Sequence, residues 1–380
     1  MTKDSINKSN PTQFDFILFI TVLIMIGFGL IMVLSASSPS ALSEGKGSYH
    51  YVLIQATSAM IGIIMMLIIS KINYKVWAKL YKIIYIGSIL ILFAVLIPGV
   101  GKLAGGATRW IKVGPITFQP SELVKIGMII FFSRYLTEHK DKVGKFIQGF
   151  IYPLLWISPI ILILVFVQSH LSGAIIMILL VVILMLMAGT KLRYFLTIGL
   201  VGVGAGGAVL YFLAKIYDVG VYRLKRITAF LDPWSDPTET GWQIIQSLYA
   251  IGSGGLFGVG LGNSTQKYLY LPEPQNDFIF AVIAEELGFV GCIVVIILFA
   301  IFIWRGVVIA MKAPDSFGSL VAIGITSLVA LQAIINIAVV TSSIPNTGMP
   351  LPFFSYGGTA LLILLCSVGI LLNISRYQKS

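Results

Sequence analysis

The chain has 380 residues, 57% of them hydrophobic and only 11% charged, with a mean hydropathy of +0.96 and a net charge of +11. A soluble domain carries about 25% charged residues, so composition excludes a water-soluble protein and indicates an integral membrane protein. The basic residues are interleaved with apolar runs instead of gathered on one face, which excludes a nucleic-acid partner.

The first 14 residues are polar, with Lys3 and Lys8, and no small-residue cleavage site follows the first apolar run, which reads as a retained span. Spans are expected at 15–36, 51–70, 83–99, 121–137, 149–168, 171–190, 194–214, 278–304, 318–340 and 357–375, each near the roughly 20 residues that cross the hydrocarbon. The expected fold is an all-α polytopic membrane helical bundle of about ten transmembrane helices. It forms a single domain over 1–380 with a large extracellular loop at 215–277. Lys71, Lys75, Lys79 and Lys82, then Arg134, Lys140, Lys142 and Lys145, then Lys191, Arg193, Arg305 and Lys312 fall on one side together with both termini. The positive-inside rule makes that side cytoplasmic. Cys292 and Cys366 lie inside apolar runs, and His50, His139 and His170 have no ligand spacing, so no disulfide framework and no protein-bound metal is expected.

Cations on the other side are therefore informative: Lys102, Arg109 and Lys112 after the third span, Lys125 one turn into the fourth, and Lys215, Arg223, Lys225, Arg226 and Lys267 in the large loop. As a cluster they point to an anionic partner. Gly114 and Pro115 mark a turn, and Ile111, Val113, Ile116 and Phe118 around it read as a short hairpin. Pro120 and Ser121 open the fourth helix. Glu122 and Lys125 stand three apart on one face, either as an intrahelical ion pair or as functional charges near the membrane core. His170 opens the sixth span, as a satisfied structural group or a catalyst. Gly202 and Gly206 in the seventh span read as a close-packing face, because no strand precedes them.

Within the large loop, Trp242, Ile245, Leu248 and Tyr249 have the spacing of an amphipathic helix at the interface, and Trp234 and Trp242 suit the headgroup zone. The run Gly252-Ser-Gly-Gly-Leu-Phe-Gly-Val-Gly-Leu-Gly262 permits close backbone approach, as a flexible linker or a phosphate cradle. Leu271-Pro-Glu-Pro-Gln-Asn-Asp277 then drops from a proline-broken loop into an apolar run with a carboxylate at the junction. Asp277 admits two readings, an N-cap of the eighth helix or a general base. Glu285 lies eight residues on, about 12 Å along nearly the same face, on a substrate path or in an ion pair with a neighbouring helix, while Glu286 points away.

Arg109-Trp-Ile, Phe118-Gln-Pro-Ser-Glu-Leu-Val-Lys125, Gly241-Trp-Gln with Gln246-Ser, Ala250-Ile-Gly-Ser-Gly-Gly, Leu271-Pro-Glu-Pro through Asp277-Phe-Ile-Phe-Ala, Glu285-Glu-Leu-Gly and Pro350-Leu-Pro-Phe-Phe-Ser-Tyr-Gly-Gly occur in that order. The chain thereby resembles, over nearly its whole length, the SEDS family of shape, elongation, division and sporulation proteins, typified by RodA, FtsW and SpoVE. The Pro-Glu-Pro-Gln-Asn-Asp form is nearer the FtsW and SpoVE branch. Many members have Pro-Asp-Leu-Gly where this chain has Ser169-His-Leu-Ser, so a role for that aspartate does not carry over.

The resemblance implies an inverting peptidoglycan glycosyltransferase that polymerises lipid II, an undecaprenyl-diphosphate-linked disaccharide peptide, at the outer face of the cytoplasmic membrane during division or sporulation. Its implied partners are membrane lipid and a class B penicillin-binding protein. Asp277 matches the family's essential aspartate and is the expected general base. Arg109, Lys125, Arg223 and Lys267 are expected to stabilise the departing diphosphate, with Trp110, Glu122, Glu285 and Ser355 as further substrate-binding candidates. The segment 345–358 is expected to close the outer face of the site. No cofactor is required, and a divalent cation with the diphosphate is left open. The alternatives are a lipid II flippase or a non-catalytic scaffold for the partner synthase.

Overall fold

The computed structural model describes residues 14–97, 99–104, 107–114, 116–197, 230, 232–235, 241–268 and 270–378. Its helices are Phe16–Ser43 (α1), His50–Ile69 (α2), Lys75–Ala94 (α3), Pro120–Glu138 (α4), Ile147–Val167 (α5), Leu171–Met187 (α6), Trp242–Gly254 (α7), Ile279–Met311 (α8), Ser316–Val340 (α9) and Gly358–Ser375 (α10). Among the described residues, seven are long and apolar enough to cross a membrane: α1, α2, α3, α5, α8, α9 and α10. The shorter α6 and the charge-bearing α4 pack among them, and the chain is a multi-pass, mostly helical membrane protein. The span expected at 194–214 lies outside the described residues beyond its first turn, as do Gly202, Gly206 and Arg223.

The helices pack as two joined groups. One core gathers α1, α2, α8, α9 and α10 around Met25, Phe302, Phe354 and Leu365; the other gathers α4, α5 and α6 around Phe132, Ile160 and Leu184. α9 touches α4, α6 and α8 and joins the two. The third span begins earlier than expected, at Lys75 instead of residue 83. Its lysines are exposed and extend the helix beyond the apolar run, since a lysine stem covers apolar surface while its ammonium reaches water.

The hairpin expected after α3 is a three-stranded antiparallel sheet: Gly101–Ala104 (β1), Ala107–Val113 (β2) and Ile116–Phe118 (β3). Ile111 pairs with both Gly101 and Phe118, and Gly114 turns β2 into β3 at φ +60°. A strand alternates its faces. Arg109 and the buried Ile111 therefore face one way, and Trp110, opposite Lys102, faces the other.

Two departures from regular helix shape the site. α8 is broken at Gly288, whose φ of 66° and ψ of −164° no helix contains. Residues 344–357, between α9 and α10, run without helix back among the others and bury Met349, Leu351, Phe353 and Phe354. Non-helical backbone at membrane depth must find its hydrogen bonds within the protein. Here Gln55 Nε2 donates to Ser355 O (3.0 Å), Gln55 Oε1 accepts from Gly357 N (3.1 Å), and Asn336 Nδ2 donates to Met349 O (2.6 Å).

Candidate active site

Asp277 stands in the turn before α8, half-buried. The N-cap position of α8 belongs to Phe278, one residue after the aspartate. Its backbone is clamped from two sides. Asn336 Nδ2 on α9 donates to Asp277 O at 2.7 Å as well as to Met349 O, and Tyr356 N donates to Gln275 O at 2.8 Å. Gly348, at φ +64°, runs alongside the carboxylate: a Cβ built on it would lie 3.7 Å from Asp277 Oδ2. The segment 344–357 therefore packs against the aspartate as well as filling space between helices.

The cations come from β2 and α4. Arg109 donates through Nε to Gln168 O (3.0 Å) and through Nη2 to Ser169 O (2.7 Å), bracing a turn in which Ser169 holds a left-handed φ of 48°. Lys125 is buried and pairs with Glu122 at 2.8 Å, as their spacing of three predicts. His170 lies between these groups. Its ring covers Gly173, where a Cβ would come within 2.7 Å of it, and its Nδ1 is 3.5 Å from Gln119 Nε2. Burial first, then the charges of Arg109 and Lys125, push its pKa down to about 4, so the imidazole is neutral at physiological pH.

Two residues on, Ser172 Oγ donates to Thr347 O at 2.8 Å, next to Gly348. That contact ties the start of α6, two residues from His170, to the segment that passes beside Asp277. Glu122 also reaches a cavity of about 40 Å³ that it shares with Gln332, Pro350, Ser355 and Tyr356. Ser355 Oγ accepts from Leu351 N at 2.7 Å and closes the buried turn of that segment. Trp110 stands on the face of β2 away from Arg109, and Arg223 lies outside the described residues.

Lys267 and Glu285 sit in a separate cluster. Lys267 is buried, with Nζ on Glu286 Oε1 (2.8 Å), Gly262 O (2.6 Å) and Ser35 Oγ (3.1 Å). Glu285 accepts from Ser264 Oγ and from Thr265 N (2.8 Å). Glu286, expected to point away, is buried in the same cluster and accepts from Ser35 Oγ at 2.6 Å. The loop 262–267 passes across both carboxylates, so adjacent helix positions meet one partner segment.

The glycine run is not a free linker, because its described residues contact α8. It repairs the break in α8. Val259 N and Gly260 N donate to Glu285 O and Glu286 O (both 3.0 Å), while Phe289 N and Val290 N donate to Gly255 O (2.9 Å) and Leu256 O (3.1 Å). Contact this close excludes side chains: a Cβ on Gly254 would overlap Ala284 O, on Gly258 Glu286 O, and on Gly288 Gly258 N. α7 exists as the amphipathic spacing predicts, but it buries Ile244, Ile245, Gln246, Ser247 and Ala250 and leaves Tyr249 exposed. Ser247 Oγ donates to Val340 O at 2.7 Å, which satisfies the buried hydroxyl.

Buried polar atoms without a hydrogen-bond partner among the described residues recur near Asp277 and Gly348: Gln275 Oε1, Asn276 Oδ1, Asn336 Oδ1 and Thr347 Oγ1. Native proteins pair nearly all such atoms, with protein or with ordered water. Asn336 and Gln55 escaped the sequence reading although each is a polar residue inside an apolar run, a signal that marks intramembrane contacts. Among the described residues, no group of three or more His, Cys, Asp or Glu could hold a metal ion.

The model of the cell cycle protein family of FtsW, RodA and SpoVE matches residues 15–380. The chain belongs to this family. Stage V sporulation protein E of Bacillus subtilis is 44% identical over 98% of this chain and 99% of its own length. A probable peptidoglycan glycosyltransferase FtsW of Geobacter sp. strain M18 is 41% identical over 96% and 98%. This SEDS chain therefore sits with the FtsW and SpoVE branch. A chain from a solved peptidoglycan synthase complex, described as coordinating polymerization and crosslinking, superposes with a TM-score of 0.78 at 26% identity, covering 96% of this chain and 99% of that one. RodA of Thermus thermophilus shares the fold at a TM-score of 0.68 and 24% identity, over 96% and 98% of the two chains.

Proposed function

We propose that this chain is a peptidoglycan glycosyltransferase that polymerises lipid II by a single inverting displacement, with Asp277 as general base. The acceptor hydroxyl loses its proton to the Asp277 carboxylate as its oxygen attacks the anomeric carbon of the donor sugar. The bond from that carbon to the diphosphate breaks, and the lipid diphosphate leaves with the electron pair. A diphosphate is a good leaving group and needs no general acid, so one carboxylate and a group of cations suffice where a glycosidase has two carboxylates.

Arg109 and Lys125 supply positive charge for the leaving group. Lys125 already pairs with Glu122, and neutral His170 adds no second negative charge beside it, as a carboxylate there would. Lys267 and Glu285 serve the site indirectly, through the cluster that ties 262–267 to α8. The observation that carries this reading is Asp277 itself, a half-buried carboxylate whose backbone is held by Asn336 and beside which Gly348 leaves no side chain. The FtsW and SpoVE relatives and the likeness to a synthase complex support it, and support a class B penicillin-binding protein as partner.

The lysine-rich start of α3 and the start of α9 lie at the end of the bundle away from Asp277, because α9 runs from Asp315 to the Asn336 that holds it. By the positive-inside rule the lysine end faces the cytoplasm and Asp277 the outer surface, with both chain termini cytoplasmic. The test is polymerisation of lipid II by the purified chain with its partner in liposomes. Glycan strands are expected; lipid movement across the bilayer without glycan would replace this reading with a flippase.

A further inference from the structure

At the end of the bundle opposite Asp277 lies a second cavity, of about 540 Å³, lined by Lys75 and Lys79 of α3, Arg134 and Thr137 of α4, and Asp315 and Phe317 at the start of α9. From Asp315 to Asn336 is about 30 Å of helix at 1.5 Å per residue, a full hydrocarbon thickness. The cavity is thus remote from the candidate active site, on the opposite rim of the membrane.

Its charges are unbalanced. Lys75 and Lys79 stand one helical turn apart, where like charges repel, and among the described residues neither has an acidic partner within ion-pair distance. Both nearby carboxylates are engaged. Asp315 accepts from Tyr74 Oη (2.6 Å) and Gly318 N (2.7 Å), and Glu138 takes Arg134 (2.9 Å) and Tyr81 Oη (2.8 Å). Arg134 meets Glu138 through its Nε, so the unmatched charge of the cavity is that of the two lysines. Beside the lysines, α3 exposes Val76 (42%), Leu80 (38%) and Ile83 (68%), an apolar stripe at helical spacing that continues into the membrane span.

An occupant must therefore carry negative charge at one end and apolar chains at the other. We propose that this cavity binds the phosphodiester headgroup of an anionic phospholipid from the leaflet on that side, with its acyl chains along Val76, Leu80 and Ile83. Basic pockets between transmembrane helices at the cytoplasmic rim hold such headgroups, and the volume falls in the roughly 300–1,000 Å³ of ligand sites.

The experiment is native mass spectrometry of the full chain in detergent with equimolar phosphatidylglycerol and phosphatidylcholine. The wild-type chain is expected to retain phosphatidylglycerol preferentially. The double variant Lys75→Gln/Lys79→Gln should bind it about thirtyfold more weakly, at roughly fivefold per lysine beside an anionic lipid. Lys71→Gln/Lys140→Gln, which removes the same charge outside the cavity, should bind as wild type. Equal retention of the two lipids, equal weakening by the two double variants, or displacement of the lipid by millimolar inorganic phosphate would each overturn the proposal.

Discussion

Ten residues of one segment hold three carboxylates in two different settings. Asp277 is half-buried in the turn before α8, beside the backbone of Gly348. Glu285 and Glu286 are buried, and their oxygens are taken up by Ser35, Ser264, Thr265 and Lys267. A carboxylate whose acceptor capacity is filled by the protein cannot take a proton from a substrate without breaking those bonds. In the function proposed above the first acid serves chemistry, while the two deeper acids hold the chain, their bonds tying 262–267 to α8. Together they close the segment 264–286 into a loop, with Asp277 on it and its base fastened at the helix break.

If this division is right, substitutions in the two regions should fail in different ways. The largest effect on activity is expected at Asp277: Asn should lower glycan formation about 10²- to 10⁴-fold, the range for loss of a general base, with the thermal midpoint unchanged. Lys125→Gln should come next, at about 10²-fold, through lost stabilisation of the diphosphate, read as a fall in kcat at saturating lipid II.

In the deeper region the readout is stability. Glu286→Ala strands a buried lysine charge and should cost about 3–5 kcal/mol in a denaturant or thermal assay, and Glu286→Leu with Lys267→Met should recover most of it. Gly258→Ala, at φ +79° and against Glu286 O, should cost about 1–3 kcal/mol. A Glu286→Ala chain that loses all turnover at full stability would break the distinction between the regions.

The smallest effect concerns His170. Its folded pKa of about 4 lies below the ordinary 6.5, so between these values the unfolded chain binds the extra proton. Stability should fall as pH drops below 6.5, and the loss should be complete below about 4. His170→Asn should flatten that slope in thermal midpoints measured across the window.

How much of this was legible in sequence varies with how local each feature is. The Glu122–Lys125 pair follows from a spacing of three, and the carboxylate at the head of α8 from a polar loop meeting an apolar run. β1 left little trace because four residues, Gly101–Ala104, show no clear alternation. The role of the glycine run could not be read, since its partner is a break 30 residues further on, at Gly288, that only packing reveals. Glu286 points away on a helical wheel that assumes one neighbour per face, whereas the loop 262–267 spans two faces. Ser247 and Gln246 are buried where the amphipathic pattern expects apolar residues, because α7 packs its polar side on α8 and α9.

The central claim is tested most directly by the initial rate of lipid II polymerisation by purified Asp277→Asn with its partner, measured beside the thermal midpoint of the same preparation. The expected result is a rate at least about 10²-fold below wild type at an unchanged midpoint. Glycan strands formed at the wild-type rate would contradict the assignment of Asp277 as the base.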